Sequence, residues 1–287
     1  MKVGIVTDSG SDIPRDLAAE LGIEIIPFHV NLNNKEYRDG IDITQQEFYK
    51  KLVEQRLTPQ TSQPALGVFV DTYRQLLQKF DALISIHISG KLSGAFHTAQ
   101  MAGEMIPGAD IRVVDSLSAS MGLGGLVLEA YRALQKGFSI DQVVKILESL
   151  RKRVRLFVTL DTLEFLKRGG RIGRVTAFLG SVLRVKPLIW MVNGEVEPIA
   201  KARSRREVIS LLLAEFKKEI TTETKAIITV LHTAAEEEAL RLKARIQEEF
   251  KQAEILIREA GPALGTHVGP RALALSVVPK ISLAPGN

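Results

Sequence analysis

Short runs dominated by Ile, Val and Leu, four to eight residues long, recur at 3–7, 24–31, 82–88, 111–114, 156–159, 187–191, 226–231 and 255–259. Several are continuously apolar instead of alternating, as a strand must be when both faces of its sheet are covered. Between them the apolar spacing changes to the helical period. Phe69, Tyr73, Leu76, Leu77 and Phe80 mark a helix over 66–79, and 139–152, 204–218 and 234–251 read as amphipathic helices. Thr44-Gln45-Gln46-Glu47 has the capping-box pattern and opens a helix reaching about Arg56. Strands alternating with helices predict an α/β fold of mostly parallel sheets flanked by helices. Asn193-Gly194, between two apolar runs, is the clearest hairpin signal in the chain.

At 287 residues the chain exceeds one ordinary core and suits two α/β lobes. We place their boundary after a long helical stretch, giving an N-terminal lobe over 1–153 and a C-terminal lobe over 154–287. Nothing there is rich in Pro or Gly, so the lobes are expected to touch. With no cysteine, disulfides, thiolate metal sites and thiol catalysis are all excluded. Five scattered histidines without an H-E-x-x-H pattern point to no metal. No apolar run approaches the roughly 20 residues of a membrane span, and the first residues turn polar too soon for a signal peptide. A soluble, cytoplasmic protein is expected. The net charge of +5 is compatible with anionic partners, but no zinc-finger spacing or RNA-binding aromatic motif accompanies the basic clusters at 151–155 and 201–206, so no nucleic-acid partner is expected.

Ligands of open α/β sheets sit beyond the carboxyl ends of strands, which directs attention to the polar loops. Thr7-Asp8-Ser9-Gly10, Thr61-Ser62-Gln63-Pro64, Ser89-Gly90-Lys91-Leu92-Ser93-Gly94, Lys167-Arg168-Gly169-Gly170-Arg171 and Gly265-Thr266-His267-Val268-Gly269 stand out. Thr61, Ser62 and Ser93 carry hydroxyl donors, and the backbone from Gly94 offers the N–H groups of a helix start. His267, read as a loop residue between glycines, and Arg171 add further donors. Converged, these groups would form a carboxylate or phosphate site, since a buried anion needs charge-assisted hydrogen bonds. Taken singly, each also reads as a cap, a turn or a surface charge. No P-loop is present, Gly122-Leu123-Gly124-Gly125 lacks dinucleotide-binding register, and the Ser93 loop misses the nucleophile elbow by one residue. A serine esterase using Ser93, His267 and Asp8 or Asp115, and a phosphate-binding regulator using Arg171, remain as alternatives.

These segments, in this order, together with Val114-Asp115-Ser116 and Phe165-Leu166 before the Gly-Gly turn, resemble the DegV family of bacterial fatty-acid-binding proteins. The resemblance spans essentially the whole chain. It implies a two-lobed DegV-like fold with one long-chain fatty acid, palmitate or a similar chain, between the lobes and no other cofactor. Hydroxyls matching Thr61 and Ser93 would hold the carboxylate, with Arg171 and His267 close by. It also implies a chain that is not catalytic alone: in some members the carboxylate is presented to a separate ATP-binding fatty acid kinase subunit, whose acyl phosphate feeds phospholipid synthesis. Arg203, Arg205 and Arg206 are then candidates for contact with that partner or with an anionic membrane surface. Departures occur at Ser9-Gly10-Ser11, at Ala65, at Gly94-Ala95-Phe96-His97 and at Arg271, none of which removes Thr61, Ser93 or His267.

Overall fold

The computed structural model describes residues 1–55, 57–178 and 185–281. Its strands are β1 (Val3–Asp8), β2 (Ile23–Ile26), β3 (His29–Leu32), β4 (Lys35–Arg38), β5 (Gln60–Ser62), β6 (Ala82–His87), β7 (Asp110–Asp115), β8 (Arg155–Thr159), β9 (Lys186–Val192), β10 (Glu195–Ala202), β11 (Ala226–His232), β12 (Glu254–Glu259) and β13 (Leu273–Pro279). An all-parallel sheet runs β2–β1–β6–β7, and a small antiparallel sheet runs β4–β3–β5. The run at 24–31 is therefore two strands in two sheets. They part at Pro27, which has no N–H to give a ladder.

The third sheet has six strands in the order β10–β9–β8–β13–β11–β12. Here the expectation of a mostly parallel sheet fails: β11–β12 is its one parallel pair. Two features reverse the direction. Asn193 and Gly194, both at positive φ, turn β9 back into β10. The unanticipated β13 returns between β8 and β11, antiparallel to both. Apolarity reports that both faces of a strand are covered, not which way the strand runs.

The helices are α1 (Arg15–Leu21), α2 (Gln45–Gln55), α3 (Leu66–Leu76), α4 (Ala95–Glu104), α5 (Ser120–Gln135), α6 (Ile140–Leu150), α7 (Glu164–Arg168), α8 (Arg205–Glu219), α9 (Glu236–Glu249) and α10 (Pro262–Val268). The capping box before α2 forms in both directions: Glu47 N–H donates to Thr44 Oγ1, and Thr44 N–H to Glu47 Oε2. The expected last residue of that helix, Arg56, lies outside the described residues. Helix α5 was not evident from periodicity because it is apolar on nearly every side, as a helix buried between two sheets must be. Its glycines allow the approach. A Cβ on Gly125 would stand 2.5 Å from Val278 of the third sheet, and one on Gly124 2.5 Å from the Ser11 carbonyl.

One apolar core takes residues from Ile5 to Val278 and so joins the sheets of the first half to the inner face of the third. A second core fills the outer face of the third sheet, where Phe157, Leu188, Val230 and Leu275 pack with Leu212, Phe216 and Ile246 of α8 and α9.

Candidate functional site

Thr61 is the middle residue of β5, paired with Val30 of β3. Strand alternation sends the neighbouring Ser62 to the opposite side, where it is exposed. Ser93 sits in a tight turn after β6, in which the N–H groups of Leu92 and Ser93 both donate to the Ser89 carbonyl. Its Oγ accepts from Ala95 N–H at 3.2 Å at the start of α4, so its own hydroxyl hydrogen remains to be given. Gly94 caps α4 with its backbone packed against Gln63; a Cβ there would collide with the Gln63 amide.

Arg171 donates from Nε to the Leu92 carbonyl (3.0 Å) and from Nη1 to Gly169 (2.7 Å), which pins it beside the Ser93 turn. His267 is not a loop residue. It lies on the last turn of α10, a helix opened by Pro262 and ended by Gly269 at positive φ. Its Nε2 is 2.8 Å from Thr61 Oγ1. Its Nδ1 is buried without a partner against Gly169, where a Cβ would strike the ring. Burial, and then the nearby Arg171 charge, lower its pKa to about 4, so the imidazole is neutral near pH 7. With its proton on Nε2 the ring donates to Thr61, and the Thr61 hydroxyl can donate to an incoming anion.

Thr61, Ser93, Arg171 and His267 line one cavity; Ser62 and Gly94 do not. The rest of the lining is mostly apolar and follows the inner face of the third sheet. Ile189, Val158, Ala274 and Leu231 stand side by side in register on β9, β8, β13 and β11, and Val196 adds β10. Five adjacent strands at about 4.8 Å spacing carry this lining across roughly 19 Å of sheet, as the floor of a trough. Small side chains leave it open: Ala119, Ala260, Ala263, Ala272 and Ala274 all face it. The polar end is anchored near the β9–β10 hairpin, because Ser89 Oγ donates to the Gly194 carbonyl and Lys91 pairs with Glu195. Periodicity did not single out these alanines. The signal available was the small–apolar alternation Ala272-Leu273-Ala274-Leu275.

Two carboxylates seat α10, and with it His267. Asp12 accepts from Gly261 N–H (2.8 Å) and from Ser120 Oγ (2.5 Å); Asp39 accepts from Ser9 Oγ (2.8 Å) and the Ala263 backbone. Burial raises them to about 7 and about 6 respectively. Tyr49 completes the seat by donating to the Ala260 carbonyl. Asp8 serves elsewhere. Fully buried, it accepts from Ile88 N–H and Gly10 N–H and bonds His87 Nδ1 at 2.9 Å, and His87 reaches Ser85. Asp115 accepts from the Leu117 and Gly90 backbones. His267 faces Thr61, so the esterase arrangement of Ser93, His267 and an Asp is not assembled.

The basic trio is also altered. Arg205 is half-buried and holds Glu238 through Nε and Nη2, so its charge is compensated; Arg203 and Arg206 are exposed. Among the described residues no group of His, Asp and Glu is placed to hold a metal, and no helix is long and apolar enough to cross a membrane.

Comparison with known proteins matches residues 2–280 to the DegV family, described as an uncharacterised protein family. A fatty-acid-binding DegV family protein from Thermus thermophilus superposes with a TM-score of 0.91 at 36% identity, over 97% of this chain and 100% of that one. DegV of Bacillus subtilis, a fatty acid binding protein, also gives 0.91, at 32% identity over 98% and 100%. A stearic acid-binding protein from Eubacterium ventriosum gives 0.89, at 28% identity over 97% and 98%. A match of this extent makes the chain a member of the DegV family.

Proposed function

We propose that the trough holds one long-chain fatty acid, with its carboxylate at Thr61 and Ser93 and its chain laid across the third sheet towards β11. The observation that carries this reading is one cavity in which polar groups drawn from four distant segments meet a lining that is otherwise mostly apolar. A zigzag of roughly 1.5 Å carbon–carbon bonds advances about 1.25 Å per methylene, so about 19 Å suits some 15–16 carbons. Burying such a chain is worth on the order of 10 kcal/mol before ordering costs, at about 0.8 kcal/mol per methylene. Chain burial therefore sets affinity, and the polar end sets orientation. A sugar or nucleotide phosphate would leave this apolar surface unmatched.

Arg171 supplies the permanent positive charge near the carboxylate, and neutral His267 orients the Thr61 hydroxyl. We read the chain as a carrier that presents this carboxylate to a separate ATP-binding kinase subunit. There a carboxylate oxygen would attack the γ-phosphorus of ATP, releasing ADP and leaving an acyl phosphate, a step that depends on positioning and charge compensation. Arg203 and Arg206 are the remaining basic candidates for contact with that partner or with an anionic membrane surface.

Native mass spectrometry tests the binding step. Protein purified without added lipid should carry one fatty acid per chain, or take up labelled palmitate one to one. A lipid-free mass that also refuses palmitate overturns the reading. The carrier role predicts no acyl phosphate from this chain with ATP alone, and its formation when a DegV-dependent kinase subunit is added.

A further inference from the structure

The last strand of the third sheet to line the trough is β11, and its residue in the row of Ile189, Val158 and Ala274 is Leu231. On the inner face of the sheet Leu231 stands in register with Ala274 of β13 on one side and Arg258 of β12 on the other. Ala274 lines the trough. Arg258 does not; it lines a separate groove on the outside of the protein, between α2 and the start of α9. The two cavities meet at His232, the next residue of β11, whose carbonyl accepts from Ala260 N–H and closes the chain behind the wall. Leu231 is 3% exposed, and in the register row it stands between Ala274, which lines the trough, and Arg258, which lines the groove.

Resting on the fatty-acid reading above, we infer that Leu231 is the stop that sets acyl-chain length, and that Ala274 is the opening that lets the chain reach it. Large and small side chains at two positions in direct register then act as a ruler graduated in strand spacings. Truncating Leu231 frees one further spacing of about 4.8 Å, or roughly four methylenes. Enlarging Ala274 moves the stop inward by the same amount.

The experiment offers an equimolar series of saturated fatty acids from about 12 to 20 carbons to wild type, Leu231→Ala and Ala274→Leu. Native mass spectrometry then reads which lengths are bound. The preferred length should rise by about four carbons in Leu231→Ala and fall by about four in Ala274→Leu. Since each buried methylene is worth roughly fourfold in affinity, the ratio of longest to shortest chain should move at least tenfold in opposite directions. An unchanged length profile in both folded variants overturns the inference. Should Leu231→Ala fail to fold, Ala274→Leu decides alone: no shortening overturns it. If the wild type binds no chain at all, the fatty-acid reading itself has failed, an outcome distinct from an unmoved preference.

Discussion

The two faces of the third sheet are made from adjacent residues and serve opposite ends. Outward, Phe157, Leu188, Val230 and Leu275 meet large side chains of α8 and α9 and leave no room. Inward, their neighbours Val158, Ile189, Leu231 and Ala274 meet Ala119, Ala260 and Ala263, and a trough remains. Both faces are apolar. What separates a core from a binding cavity here is side-chain volume, because interiors close-pack wherever volumes allow.

The largest expected effect comes from emptying the filled face. Phe216 is fully buried between α8 and the sheet. Phe216→Ala should cost about 3–5 kcal/mol of unfolding free energy in urea melts. Filling the open face should do the reverse of what core intuition expects: Ala272→Leu is predicted to change lipid-free stability far less while weakening palmitate binding. Equal destabilisation by both would mean the inner face is an ordinary core.

The seat beneath α10 carries a pH signature. Asp39 titrates at about 6 in the folded protein, above its ordinary value, because burial disfavours its charge. Between about pH 4 and 6 the native state thus holds a proton that the unfolded chain has lost, so this group makes stability fall as pH rises. Asp12, raised to about 7 but keeping some exposed surface, extends the fall. His267 opposes it: at about 4 it lies below its ordinary 6.5, so the native state holds fewer protons in between and stability rises with pH there. Comparing Asp39→Asn with wild type isolates the carboxylate. The difference in unfolding free energy should grow by on the order of 2–3 kcal/mol in the variant's favour from pH 4 to 7, and no growth would show that burial does not raise Asp39.

Smaller effects belong to the polar end. Thr61→Ala with Ser93→Ala removes two donors to a carboxylate while leaving the trough intact. Titration should show palmitate weakened by about tenfold or somewhat more, with lipid still retained. Complete loss of lipid would assign affinity to the head and not to the chain. Least of all, reversing Arg203 and Arg206 should leave palmitate affinity unchanged and weaken binding to anionic vesicles or the kinase partner.

Much of this is legible in the sequence. The continuous apolar runs mark strands such as β6 and β11, and the capping box marks α2. The segments carrying Thr61, Ser93, Arg171 and His267 stand out by their polar residues. Three things are not legible there. Strand direction in the third sheet depends on where β13 returns, which apolarity does not encode. The helical setting of His267 rests on Asp12 and Asp39, more than two hundred residues away in the chain, accepting the first N–H groups of α10. The trough itself depends on which small residues face one another across layers, and no local pattern states that.

A crystal structure with bound palmitate tests the central claim most directly. The account predicts the carboxylate within hydrogen-bonding distance of Thr61 and Ser93, the chain crossing Val158 and Ala274, and the terminal methyl against Leu231. Palmitate lying in the reverse direction, along the strands, or outside the inner face of the sheet would contradict it.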